Sequence, residues 1–155
     1  MIKIITGKRD SGKTSYLRYL VRDSRFFNGF LEYKKYDEKD EFIGYDLYDL
    51  ETKEAFEFIT TDLSREGIKL DYFVVLEEGI KKGKEIILKG IEKDKILVID
   101  EIGQLEMDGK VFHEAILKAL KSGIEIYITV REELLNDFIE KYDLSTRDYK
   151  LIRVG

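Results

Sequence analysis

The sequence predicts an α/β fold: a mostly parallel sheet flanked by helices, with an antiparallel, hairpin-rich insert. Three observations carry that expectation. A short β-branched strand, Lys3 to Thr6, runs into a glycine-bearing loop and then into a helical pattern. A continuous apolar run, Ile96-Leu97-Val98-Ile99, stops on two acids, as a strand buried on both faces of a parallel sheet does. Elsewhere strand-like and helix-like segments alternate. The 155 residues suit one domain, 1–155, able to bury roughly 70% of the surface its unfolded chain exposes.

Each element has its own warrant. From Lys13 to about Asp23, Leu17, Leu20 and Val21 supply one apolar helical face. Between Gly29 and Thr60 aromatic and charged residues alternate, in Phe30-Leu31-Glu32-Tyr33, Phe42 to Tyr48 and Ala55 to Ile59. That alternation predicts antiparallel strands, with a turn at Leu50-Glu51-Thr52-Lys53. Tyr72 to Leu76 is a short apolar run, and Ile80 to Ile91 reads as a helix. The basic cluster Lys81-Lys82-Gly83-Lys84 reads as a solvated turn. Asp108 is placed to cap a helix whose apolar face is Val111, Phe112, Ala115, Ile116, Ala119 and Leu120, ending at Gly123. A strand over 125–130, a helix over 132–141 and a last strand over 149–154 complete the chain.

Composition excludes several classes of function. A hydrophobic fraction of 43% is too high for disorder, and no apolar run approaches the ~18 residues of a membrane helix. Met1 to Ile5 is too short for a signal peptide, so a soluble cytoplasmic protein is expected. Without cysteine there is no disulfide, no thiolate zinc site and no thiol catalysis. A net charge of −5 argues against sequence-blind nucleic-acid binding. One Gln, two Asn and abundant Lys and Glu match proteins from hot environments, although an AT-rich genome gives a similar bias.

The chemistry concentrates in two motifs. Gly7-Lys8-Arg9-Asp10-Ser11-Gly12-Lys13-Thr14, followed by Ser15, satisfies G-x-x-x-x-G-K-[ST] between a strand and a helix. Chance gives such a match in about one chain in two hundred of this length. Successive backbone N–H groups in such a loop wrap a β-phosphate, and glycine permits the required turns. Lys13 would reach the β- and γ-phosphates, and Thr14 would offer its hydroxyl to Mg²⁺. Arg9 reads primarily as a solvated loop arginine, with a phosphate contact as the alternative. The other motif is the apolar run ending in Asp100-Glu101. Asp100 would hold Mg²⁺ through its water shell, and Glu101 would orient or deprotonate an attacking water.

Together with Gly44-Tyr45-Asp46-Leu47, these stretches resemble the P-loop nucleoside-triphosphatases of thermophiles, a family that includes the human cancer-related nucleoside triphosphatase. Val98-Ile99-Asp100-Glu101-Ile102-Gly103-Gln104-Leu105-Glu106 is similar to the family's most specific motif, D-E-I-G-K-M-E. The resemblance implies a RecA-like fold and slow, Mg²⁺-dependent hydrolysis of ATP, GTP and other triphosphates, with broad base tolerance. It assigns Lys13 and Thr14 to phosphate and metal, Asp100 to the metal and Glu101 to the water. Gly103 and Glu106 match the motif, Glu106 with a structural role expected. The sequence also departs from the pattern. Lys8-Arg9-Asp10-Ser11 replaces the family's P-P-G-V, and of its R-x-G-x-Y-x-V stretch only Tyr72-Phe73-Val74 remains. The nearest arginine there is Arg65, so Arg131, after Tyr127 to Val130, is the candidate substitute for transition-state charge.

His113, the single histidine, forms no metal site alone and is expected to be structural or exposed. Twelve of the 19 aromatic residues fall between Phe26 and Phe73, as strand packing or as a base-stacking platform. No N-K-x-D motif selects guanine. Two rivals to hydrolysis are a small-molecule P-loop kinase and a non-hydrolysing nucleotide-binding adaptor similar to cofactor-assembly accessory proteins. Only Arg131, Arg147 and Arg153 follow Asp100, which disfavours the arginine-rich lid of a kinase. Oligomeric state is open, a monomer being the simplest case.

Overall fold

The computed structural model describes the whole chain, Met1–Gly155. Its strands are β1 (Ile2–Gly7), β2 (Phe27–Tyr36), β3 (Phe42–Asp49), β4 (Ala55–Thr60), β5 (Ile68–Lys69), β6 (Val74–Val75), β7 (Ile96–Ile102), β8 (Ile126–Arg131) and β9 (Tyr149–Arg153). The helices are α1 (Lys13–Leu20), α2 (Glu77–Ile91), α3 (Gln104–Met107), α4 (His113–Lys121) and α5 (Leu135–Lys141). All nine strands form one sheet in the order β5-β6-β4-β3-β2-β7-β8-β1-β9. From β2 to β9 the pairings are parallel, and from β2 outward through β3, β4, β6 and β5 they are antiparallel. The expected hairpins are therefore continuous with the parallel core, because β2 is shared by both halves.

Strand alternation distributes the core between the two faces. Ile4, Phe30, Leu97, Ile99, Ile126, Ile128 and Val130 pack in one cluster with Ile86 and Ile87 of α2, Ala115 and Ile116 of α4, and Phe138 of α5. Their neighbours in sequence, Ile5, Leu31, Val98 and Tyr127, face the other way onto Leu17 and Val21. The parallel strands thus need apolar residues on both faces, which is why Ile96 to Ile99 reads as an unbroken run.

Two local expectations are corrected. Lys81-Lys82-Gly83-Lys84 lies inside α2, with Gly83 buried. A Cβ at Gly83 would come within 2.4 Å of the Phe112 ring, so the glycine allows α2 to approach α4. Gly83→Ala is expected to cost about 1–3 kcal/mol by overpacking, read as a lower thermal midpoint. Asp108 does not cap α4: it closes α3 and accepts a hydrogen bond from the Gln104 amide at 2.9 Å. The helix begins only at His113, after Val111 at φ 53°, and the Phe112 N–H donates to Glu106 at 3.4 Å instead. A carboxylate that is already buried beside the helix start displaces the exposed aspartate from that role.

Candidate functional site

The phosphate loop grows from the buried end of β1. Gly12 takes φ 95°, and no side chain caps α1, so the first amides of that helix remain open to an anion. Lys13 is buried and folds back over the loop, donating from Nζ to the carbonyls of Lys8 at 2.8 Å and Gly7 at 3.3 Å. The Ser11 hydroxyl is buried without a partner, an unused polar group in the loop. Asp10, at φ 57°, pairs with Lys34 of β2 at 2.6 Å, and that hydrogen bond holds its carboxyl below the usual range. Arg9 and Ser15 are exposed, and both line the cavity beside the loop.

Asp100 is held from three sides. One carboxylate oxygen accepts from Thr14 Oγ1 at 3.0 Å and from the Glu32 N–H at 2.9 Å. The other accepts from Thr129 Oγ1 at 2.6 Å. Burial, and next the neighbouring Glu101 charge, push its carboxyl up to about 6. The pairing of β7 with β8 slips between Ile99 and Ile102, and Glu101 adopts φ 61° there. A non-glycine residue in the left-handed region is strained, and here the strain turns Glu101 out of the strand toward the cavity. The Glu101 N–H donates to Thr129 Oγ1 at 2.6 Å, so one hydroxyl fixes both acids.

The loop and both acids converge through the Thr14–Asp100 contact, although β8 separates β1 from β7. Arg9 to Thr14 of the loop and Glu101 line a cavity of about 700 Å³, with Asp100 buried behind Thr14. Arg131 reaches it too, half-buried, with Glu133 at 3.7 Å. Arg65 does not, being tied to Glu57 on the surface at 2.9 Å. His113 is structural, its Nδ1 lying 2.9 Å from the Tyr142 hydroxyl. Glu106 is buried and accepts from the Gly103 N–H at 2.9 Å as well as from Phe112.

Sequence reasoning missed Thr129 and Glu32. A lone hydroxyl in the buried run Tyr127-Ile128-Thr129-Val130 was the available signal for Thr129. Glu32 passes in the sequence for one more charge in an alternating strand. In the fold, burial pushes its carboxyl well above the usual range, with Glu101 and Asp100 adding to the effect.

The donor set suits a hard cation. No group of three His, Cys, Asp or Glu side chains encloses a metal ion, so the protein offers one hydroxyl and one carboxylate, 3.0 Å apart. Mg²⁺ takes most of its octahedron from phosphate and water, and such a half-site fits it.

Glu106 gives a pH prediction. Burial raises its carboxyl to about 7, against its own hydrogen bonds, so the folded chain prefers the protonated form. Stability from this group is full below about pH 4.5 and falls as pH rises toward 7, by on the order of 3 kcal/mol. Glu106→Gln should remove that share, so denaturant titrations at pH 5 and pH 8 should show the variant gaining on the wild type at the higher pH.

The chain is similar to known proteins. A family model described as NTPase matches residues 3–154. The nucleoside-triphosphatase THEP1 of Thermotoga maritima is 25% identical over 138 residues, covering 89% of this chain and 78% of that one. THEP1 of Thermoplasma acidophilum is 29% identical over 150 residues, covering 90% and 80%. Among solved structures, THEP1 from Aquifex aeolicus superposes with a TM-score of 0.75 at 20% identity, covering 100% of this chain and 90% of that one. A human cancer-related nucleoside triphosphatase superposes with 0.72 at 19%, covering 98% and 87%. The RecA-like, P-loop fold expected from the sequence is the fold observed.

Proposed function

The chain belongs to the NTPase family, and from that premise we propose that it hydrolyses nucleoside 5'-triphosphates to the diphosphate and phosphate, with Mg²⁺ as cofactor. The observation that carries the reading is Glu101, strained at φ 61° and turned into the cavity beside a firmly held Asp100. The loop amides and Lys13 bind the β- and γ-phosphates, Lys13 leaving the carbonyls it now occupies. Thr14 and Asp100 would hold Mg²⁺, which when bound supplies positive charge against the phosphate oxygens. Glu101 orients the attacking water and takes its proton as the bond from the γ-phosphorus to the bridging oxygen breaks. Arg131 faces the charge that develops there.

Two features support slow turnover with broad base tolerance. Arg131 is drawn to Glu133 and must leave it to meet the phosphate. The space beside Lys8, Arg9, Asn136 and Arg153 is lined by charged and polar side chains with Leu135 alone apolar, and nothing in it selects one base edge. No helix is long and apolar enough to cross a membrane. We place the reaction in the cytoplasm, carried out by a monomer without nucleic acid, and expect it to quicken with heat. The test is phosphate release from ATP, GTP, CTP and UTP with Mg²⁺, at about 37 and 80 °C. Release from several triphosphates, lost on chelation, is expected. Tight nucleotide binding with no release from any of them would overturn hydrolysis in favour of an adaptor.

A further inference from the structure

The cavity that begins at the phosphate loop does not end at Glu101. Strand order gives its direction. From the loop after β1 the line of strands crosses β8 to Asp100 and Glu101 on β7, Glu32 on β2, Tyr45 on β3 and Ile59 on β4, and reaches Phe73 beside β6. In the hydrolytic reading Asp100 and Glu101 mark the γ-phosphate end, so the space past them lies beyond the γ-phosphate. The nucleoside leaves the loop on the other side, toward Arg153 on β9. A triphosphate therefore leaves the aromatic half of the cavity unused.

That half has a built wall and one unpartnered carboxyl. Tyr45 and Phe73 line it, each edge-on to Phe42 at 5.0 and 6.0 Å between ring centres, and Leu70 extends the wall. Such an array offers faces on which a flat ring can stack. The Glu32 carboxylate lines the same space and takes no hydrogen bond or ion pair from the chain, only its N–H being engaged, with Asp100. Lys34, which also lines the cavity, is committed to Asp10. A cation or hydrogen-bond donor beside Glu32 favours its ionised form, whereas a phosphate or carboxylate adds to the charges of Glu101 and Asp100 that already oppose that form.

We propose, resting on the hydrolytic reading, that this half holds a second substrate, a flat aromatic alcohol, uncharged or cationic, whose hydroxyl takes the γ-phosphoryl group in place of water. The hydroxyl oxygen forms the new bond to the γ-phosphorus. The bond to the β,γ-bridging oxygen breaks, its electron pair leaving on the diphosphate, and the hydroxyl proton passes to Glu101. The products are a phosphate monoester and a nucleoside diphosphate. Arg9, Arg18 and Arg131 all line the cavity, so cations reach it from elements far apart in sequence although few arginines follow Asp100. Hydrolysis is then the reaction that runs when no acceptor excludes water.

The test uses the full chain with Mg²⁺ and γ-labelled ATP, and a panel of thymidine, adenosine, 2-phenylethanol and tyramine, with thymidine monophosphate as the anionic comparison. At least one uncharged or cationic member is expected to raise ADP release about tenfold or more and to carry the label as an ester. Phe73→Ala and, on the exposed surface, Leu70→Glu should each raise the acceptor KM about tenfold and leave acceptor-free phosphate release unchanged. Hydrolysis that proceeds normally while every panel member is inert, or label passing only to the monophosphate, overturns the proposal and leaves the hydrolytic reading standing. Bound ATP with no release under any condition overturns both.

Discussion

Glu101→Gln is expected to lower phosphate release by about 10²- to 10⁴-fold while Mg²⁺-nucleotide binding stays within a few-fold of the wild type. The amide keeps the shape and the left-handed backbone but cannot accept the proton of the attacking water. The same change should stabilise the nucleotide-free chain. After burial, Glu101 is the largest cause of the raised Asp100 carboxyl, so removing its charge relieves a repulsion within the buried site. A gain of about 1 kcal/mol corresponds to a rise of roughly 2–4 °C in the thermal midpoint. Single-turnover assays and calorimetric melts on one preparation check both halves. A variant that melts higher yet turns over at the wild-type rate would remove Glu101 from the chemistry.

Lys13→Ala should act on binding. Hydrogen bonds to charged groups contribute about 1.5–3 kcal/mol each, so loss of the ammonium should weaken ATP binding by roughly a hundredfold. Stability without nucleotide should fall by less, about 1–3 kcal/mol, because in that state the ammonium satisfies only the carbonyls of Gly7 and Lys8 and its own burial cost is removed with it. Titration calorimetry separates the two effects. Wild-type affinity in this variant would mean that the nucleotide sits elsewhere than the loop.

How much of the fold and site is legible in the sequence depends on the range of the interaction. The loop, the two acids and the strand run before them are local patterns, dictated by backbone chemistry over a few residues, and they can be read directly. The role of Thr129 cannot, since its hydroxyl meets Asp100 only through the register of β8 on β7. Glu32 is similar: its strand has the pattern of half a hairpin, and only the pairing of Phe27 to Phe30 with β7 brings it to the acids. Asp108 fails as a cap because Glu106, placed by the short α3, already occupies the helix start. Gly83 has the pattern of a turn because sequence alone does not show which helix packs against it.

The strand that carries the phosphate loop is the first in sequence and lies between the last two. Ile2 pairs with Ile126 on one side and with Tyr149 on the other. The neighbouring pairs β2–β3 and β3–β4, by contrast, close over short turns and are available early. During synthesis at about 5–20 residues per second, the loop waits roughly 7–30 seconds for both partners of its own strand to emerge. A growing chain can assemble its aromatic end long before it can shape a phosphate cradle. Nucleotide therefore meets a binding-competent loop only once β9 has joined the sheet, and the ligand's stabilisation falls only on molecules whose sheet is assembled.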